Sequence, residues 1–132
     1  SGTIRNELIY NADRTISSKD YYADGKLKEE GTWNSFGWIG QYKYYHPNGK
    51  LFYEWVYDQS GKRTGKQRYY HDNGNMMFEG EWNEGKEAGV IKEYYENGSL
   101  RSEKFYNDGK LDTTNVKLYA AKEVKVADVS FF

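Results

Sequence analysis

Apolar and polar positions alternate in short runs along this chain, and the runs return every 24 or 25 residues without a helical period. Asn-Gly or Asp-Gly dipeptides punctuate them: Asp24-Gly25, Asn48-Gly49, Asn73-Gly74, Asn97-Gly98, and a fifth at Asp108-Gly109. Such dipeptides are strong hairpin signals, because both central positions of the favoured tight turn need φ > 0. A tyrosine pair precedes each of the first four: Tyr21-Tyr22, Tyr44-Tyr45, Tyr69-Tyr70 and Tyr94-Tyr95. An apolar residue follows two positions after each glycine (Leu27, Leu51, Met76, Leu100) and a ring eight positions after it (Trp33, Tyr57, Trp82, Tyr106). Then comes a second glycine-bearing turn around Gly37/Gly40, Gly61/Gly65 or Gly85/Gly89. Each unit therefore predicts two strands and two turns. The chain as a whole predicts an all-β fold: a single-layer, twisted antiparallel meander of about 9–11 strands built from tandem hairpin repeats. Residues 1–132 form one domain, with repeats at about 10–33, 34–57, 58–82 and 83–106, a partial repeat at 107–119, and a C-terminal strand or tail at 120–132.

The charges test this register. If each turn is a two-residue loop, symmetry about it pairs Lys19 with Glu30, Lys43 with Glu54, Arg68 with Glu79 and Lys92 with Glu103. All four are opposite-charge pairs separated by 11 residues, and each contributes about 0.2–1 kcal/mol as a cross-strand pair. The same rule sets Tyr44 opposite Tyr53, Tyr42 opposite Trp55 and Tyr69 opposite Phe78 on one face. On the other face it puts the charge pairs together with Tyr21/Lys28, Tyr45/Phe52, Tyr70/Met77 and Tyr94/Arg101.

Composition changes the picture in one respect: the interior must be aromatic. The chain carries 14 Tyr, 6 Phe and 4 Trp, against 19 Ile, Leu, Val and Met combined. With 30% charged residues it cannot hold a large dry core. A formal charge of −1 argues against nucleic acid as a partner, since phosphate neutralisation needs clustered bases. The absence of cysteine excludes disulfides and thiolate chemistry. No apolar run reaches the roughly 18 residues of a membrane-crossing helix.

Taken together, Tyr-Tyr-x-Asn-Gly-x-Leu, the Glu five residues after the glycine, an aromatic, and Gly-Lys-x-x-Gly resemble the bacterial variant of the MORN repeat. Tyr95-Glu96-Asn97-Gly98-Ser99-Leu100 and Gly61-Lys62-Arg63-Thr64-Gly65 carry the resemblance most clearly, and it extends over about residues 10–119. The sequence departs from the pattern at Phe36-Gly37-Trp38-Ile39-Gly40, at Lys104, and at Asp112-Thr113, where the second glycine is missing. The resemblance implies a repeat scaffold. Related bacterial proteins are labelled antitoxin or immunity partners, and eukaryotic arrays act as scaffolds or membrane-proximal modules beside lipid kinases.

No catalytic constellation is expected. His46 and His71 hold the same place in successive units, about 10 Å apart across two strand spacings, which is too far to share a metal ion. They read as tyrosine-like packers at hairpin ends. Asp20 and Glu29 face each other, and as like charges they are expected to splay into solvent more readily than to hold a cation. The glycine-rich turns join strand to strand, so none opens a helix as a phosphate loop requires. Kinase motifs are absent, and neither a cofactor nor a metal site is expected. The positive signal is a stripe of rings: Tyr42, Tyr44, Tyr53, Trp55, Tyr57, Tyr69, Phe78 and Trp82. Such a patch suits a protein partner, with a carbohydrate or membrane surface as the alternative. Equally, the rings could simply staple neighbouring strands or be covered by residues 120–132, and free edges leave self-association open. Ser1-Gly2 reads as the remnant of a processed or engineered start. The compartment stays open, leaning toward an exported or cell-surface bacterial protein.

Overall fold

The computed structural model describes residues 5–121. These form one open sheet whose spatial order is the sequence order: β1 (Asn6–Tyr10), β2 (Ile16–Tyr21), β3 (Leu27–Asn34), β4 (Gly37–Tyr45), β5 (Leu51–Tyr57), β6 (Gly65–Tyr70), β7 (Met76–Asn83), β8 (Lys86–Tyr94), β9 (Leu100–Asn107) and β10 (Lys110–Leu118). Every junction is antiparallel, and no helix occurs among the described residues. The fold is the meander that the turn spacing predicts. The C-terminal strand or tail expected at 120–132 falls, from residue 122 onward, outside the described residues.

All four predicted charge pairs lie in register. The junctions between repeats extend them into a single row, one charge per strand: Glu7, Lys19, Glu30, Lys43, Glu54, Arg68, Glu79, Lys92, Glu103, Lys117. The signs alternate without a break. Among the described residues Arg68 is the one base of the row within ion-pair distance of its acids, at 2.9 Å to Glu79 and 3.4 Å to Glu54. Tyrosine hydroxyls on this face donate to several of the acids: Tyr21 to Glu7 at 2.8 Å, Tyr45 to Glu30 at 2.6 Å and Tyr119 to Glu103 at 2.8 Å.

The turns differ from the prediction in a way that leaves this row intact. Gly49 N donates to His46 O at 2.9 Å and His46 N to Lys50 O at 2.8 Å, closing a three-residue loop. Only Gly49 has positive φ (90°), while Asn48 uses its Oδ1 to accept from Lys50 N at 2.9 Å. The turns at Gly25, Gly74 and Gly98 repeat this pattern, and among the five dipeptides only Asp108-Gly109 has both residues at positive φ. A longer loop alone would displace every pair beyond it by one. One residue further on, however, a bulge takes up the difference: Tyr45 faces Leu51, but Tyr44 faces Tyr53, leaving Phe52 unpaired. Loop and bulge cancel, so the charges meet as predicted. The near-turn pairs do not: Tyr21, Tyr45, Tyr70 and Tyr94 face Leu27, Leu51, Met76 and Leu100, one residue away from the expected partners.

The core is a second row on the opposite face. One residue before each of the first four bases sit Ser18, Tyr42, Gln67 and Ile91, all buried. They face Gly31, Trp55, Gly80 and Lys104. The small members make room for rings and branches of the next strand: a Cβ on Gly31 would lie 2.7 Å from the Trp38 ring, and one on Gly80 2.8 Å from Ile91 Cγ1. Between repeats the ladder skips. Glu79 pairs with Lys92 and Glu81 with Ala88, so β8 carries two extra residues, and Gly89 (φ 72°) lets the strand turn through them.

Candidate interaction surface

The eight predicted rings form one network across β4 to β7. Tyr44 stacks flat on Tyr53 (5.2 Å between centroids, 5° between planes), and Tyr53 stacks on Trp55 at 4.6 Å. Tyr42 touches Tyr53, Trp55 and Tyr57 at 6.1, 5.9 and 6.4 Å. Tyr69 links Tyr53 and Trp55 to Phe78, which reaches Trp82 at 5.9 Å. Tyr42 and Trp82 are buried, whereas the other six are half-buried. Rings are therefore staples and surface together. Burial pushes the hydroxyls of Tyr42, Tyr53 and Tyr57 above their ordinary pKa, and Tyr42 rises further because it donates to Glu29. They stay neutral donors at any physiological pH.

Three groups extend the surface beyond the predicted set. Trp38 packs on Tyr42 at 4.7 Å and brings Trp33 with it at 6.3 Å. Phe52, assigned from sequence to the charged face, contacts Tyr44, Tyr53 and Tyr69, because the bulge turns it to the aromatic side. Met77 sits at the matching bulge of the next repeat and shares a pocket with Phe78 and Trp82. Most informative is Arg63, whose guanidinium lies 4.3 Å from the Trp55 ring and 4.4 Å from the Trp82 ring. It had been visible only as the third residue of a Gly-Lys-x-x-Gly turn.

Gln67 is the floor beneath Arg63 and is fully buried. β5 and β6 pair at Tyr53↔Tyr69 and Glu54↔Arg68, then separate, with an isolated bridge at Tyr57↔Arg63. The Gln67 amide enters the gap. It donates to Val56 O at 3.1 Å and Thr64 O at 2.8 Å, and accepts from Val56 N at 3.1 Å and Arg63 Nε at 3.4 Å. Above it, Trp55 Nε1 and Arg63 Nη2 are enclosed with no acceptor among the described residues. Next to this stack opens a pocket of about 310 Å³, lined by Arg63, Tyr69, Met77, Phe78, Trp82 and Glu93.

A second hollow, of about 370 Å³, lies at the N-terminal end of the stripe beside Leu8, Asp20, Glu29, Trp33 and Trp38. Asp20 and Glu29 face each other as predicted, but they do not splay. Asn6 Nδ2 donates to Asp20 and Tyr42 Oη to Glu29, and burial, then the neighbouring Asp20, raises the Glu29 carboxyl above its ordinary pKa. His46 and His71 point their Nε2 atoms at Tyr70 O (2.9 Å) and Tyr94 O (3.1 Å), the task that Tyr22 and Tyr95 hydroxyls perform in the outer repeats.

Among curated proteins, none matches the chain. The family model for the MORN repeat variant matches it four times, at residues 14–35, 39–62, 63–84 and 88–108, and this chain, two strands and two turns to a unit, belongs to that family.

Proposed function

We propose that this chain is a non-catalytic module that binds another protein through its aromatic face, anchored on the Trp55–Arg63–Trp82 stack. Repeats of this family are generally modules of protein or membrane interaction. The observation that carries the reading here is the stack itself. A guanidinium held between two indoles, with enclosed donors and an adjoining pocket, is the chemistry of a binding hot spot. A partner side chain with a large apolar body suits the pocket beside it. An antitoxin- or immunity-type role is the specific form that we favour. Co-expression with a toxin encoded beside its gene tests that form, and absence of rescue ends it. The face itself is tested by partner recovery from the source cell with Tyr53→Ala and Trp55→Ala, each checked by thermal melting. Loss of one defined partner from folded variants supports the reading, and unchanged recovery in both removes it.

A second reading rests on the Trp33/Trp38 hollow, where indoles beside the Asp20 and Glu29 carboxylates suit a sugar ring. The acids on this face disfavour anionic lipid. A glycan array that stays blank at high protein concentration disposes of the sugar.

A further inference from the structure

The charge row has a polarity that its length conceals. It begins with an acid, Glu7, on edge strand β1 and ends with a base, Lys117, on edge strand β10. Among the described residues each of these strands has a neighbour on one side only, so each presents a row of unpaired backbone groups. The nine junctions between them are all antiparallel, so β1 and β10 run in opposite directions. A second copy placed beyond β10 would therefore offer its β1 in the antiparallel sense that every internal junction uses.

The side chains match as well as the direction. Within the sheet, β2–β3, β4–β5, β6–β7 and β8–β9 each set a base on the first strand against an acid on the second. Lys117 opposite Glu7 of a second copy would be the fifth pair of that series. One position inward, Val116 stands where Tyr42 and Ile91 stand, and Leu8 where Trp55 stands. The same register therefore puts two aliphatic side chains together in the buried row. Leu8, Ile9 and Leu118 are 43%, 58% and 75% exposed at these edges. Neither strand contains proline, the residue that most simply blocks an edge.

We propose that copies of this chain stack head to tail, β10 of one against β1 of the next, with Lys117 opposite Glu7 and Val116 beside Leu8. The alternatives are disfavoured by the same charges: β1 against β1 in this register opposes Glu7 to Glu7, and β10 against β10 opposes Lys117 to Lys117. A head-to-tail contact of this kind uses two different surfaces, so assembly runs past the dimer into an open stack or a ring. It uses the sheet edges and leaves the aromatic face free.

Sedimentation velocity of the full chain over a concentration series tests it. The expected result is a ladder of species growing beyond two copies. Glu7→Lys and Lys117→Glu should each weaken association about tenfold or more, and an equimolar mixture of the two variants should regain it, because each then supplies the charge that the other needs. Glu7 and Lys117 also face Lys19 and Glu103 within the chain, so both variants are checked by thermal melting. An independent trap uses the absence of native cysteine: Leu8→Cys combined with Val116→Cys should oxidise to a ladder of linked multimers. A full chain that stays monomeric, an association that stops at the dimer, or a double-cysteine variant that gives no intermolecular links overturns the proposal.

Discussion

The central repeats and the outer ones occupy the same frame and fill it with opposite chemistry. At the two face positions flanking the charge row, β4 and β5 place Tyr42 against Trp55 and Tyr44 against Tyr53. The first hairpin places Ser18 against Gly31 and Asp20 against Glu29 at the equivalent sites, and the last places Ile91 against Lys104 and Glu93 against Ser102. In these three hairpins strand pairing, turns and charge register are the same. Turn chemistry and strand pairing therefore hold the frame, and what fills a given position is free to serve something else. Rings gather where the strand ladder is shortest, at the β5–β6 junction, and there the one buried side-chain amide among the described residues and the Arg63 stack close the gap.

Substitutions at that junction should break the contrast most strongly. Gln67→Leu removes the acceptor of Val56 N–H and the donor to Thr64 C=O in a buried site, and a loss of about 2–4 kcal/mol in denaturant unfolding is expected. The position filled by Ser18 in the first hairpin should tolerate Ser18→Ala far better. Gly80→Ala comes next: its Cβ meets Ile91 and Trp82 at 2.8 and 3.0 Å, and overpacking of this kind costs about 1–3 kcal/mol, seen as a lower melting temperature. Tyr42→Phe keeps the ring contacts and removes the hydroxyl that serves Glu29, for about 1 kcal/mol.

The smallest effect sharpens the comparison by pH. Burial and then Asp20 raise the Glu29 carboxyl above its ordinary 4.5, while the Tyr42 hydroxyl partly opposes them. A raised carboxyl binds its proton more tightly when folded, so its contribution to stability is complete below pH 4.5 and is lost as pH rises through the folded value. Asp20→Asn should flatten that decline and raise stability at neutral pH by roughly a few tenths of a kcal/mol, since solvent screens this partly exposed pair, as measured by urea unfolding on both sides of the carboxyl range. The aromatic centre around Tyr69, paired with Tyr53 and Phe78, carries no such carboxylate pair, so Tyr69→Phe should leave the pH profile unchanged.

Much of this was legible along the chain. Glycine turns at a steady spacing and bases 11 residues ahead of acids bounded the strand number at about 9–11 and set strand order and the register of the charge pairs, and the ring stripe is contiguous where alternation placed it. Phe52 and Met77 were assigned to the wrong face, because a three-residue loop followed by a bulge yields the same charge pairs as a two-residue loop without one. The two arrangements differ only at the residue in between. Arg63 carried no local mark, since a base in a turn is ordinary until two indoles from different strands close over it.

The sequence by itself determined the meander and the four charge pairs of its hairpins, because turn formation and the two-residue alternation of a strand are local and repeat with the chain. Only the tertiary structure decided which rings meet, where the ladder opens, how Gln67 and Arg63 fill the opening, and that the row ends in opposite charges on the two outermost described strands. Those depend on bulges and on contacts between neighbouring repeats, where one unpaired residue reverses the side to which a ring points.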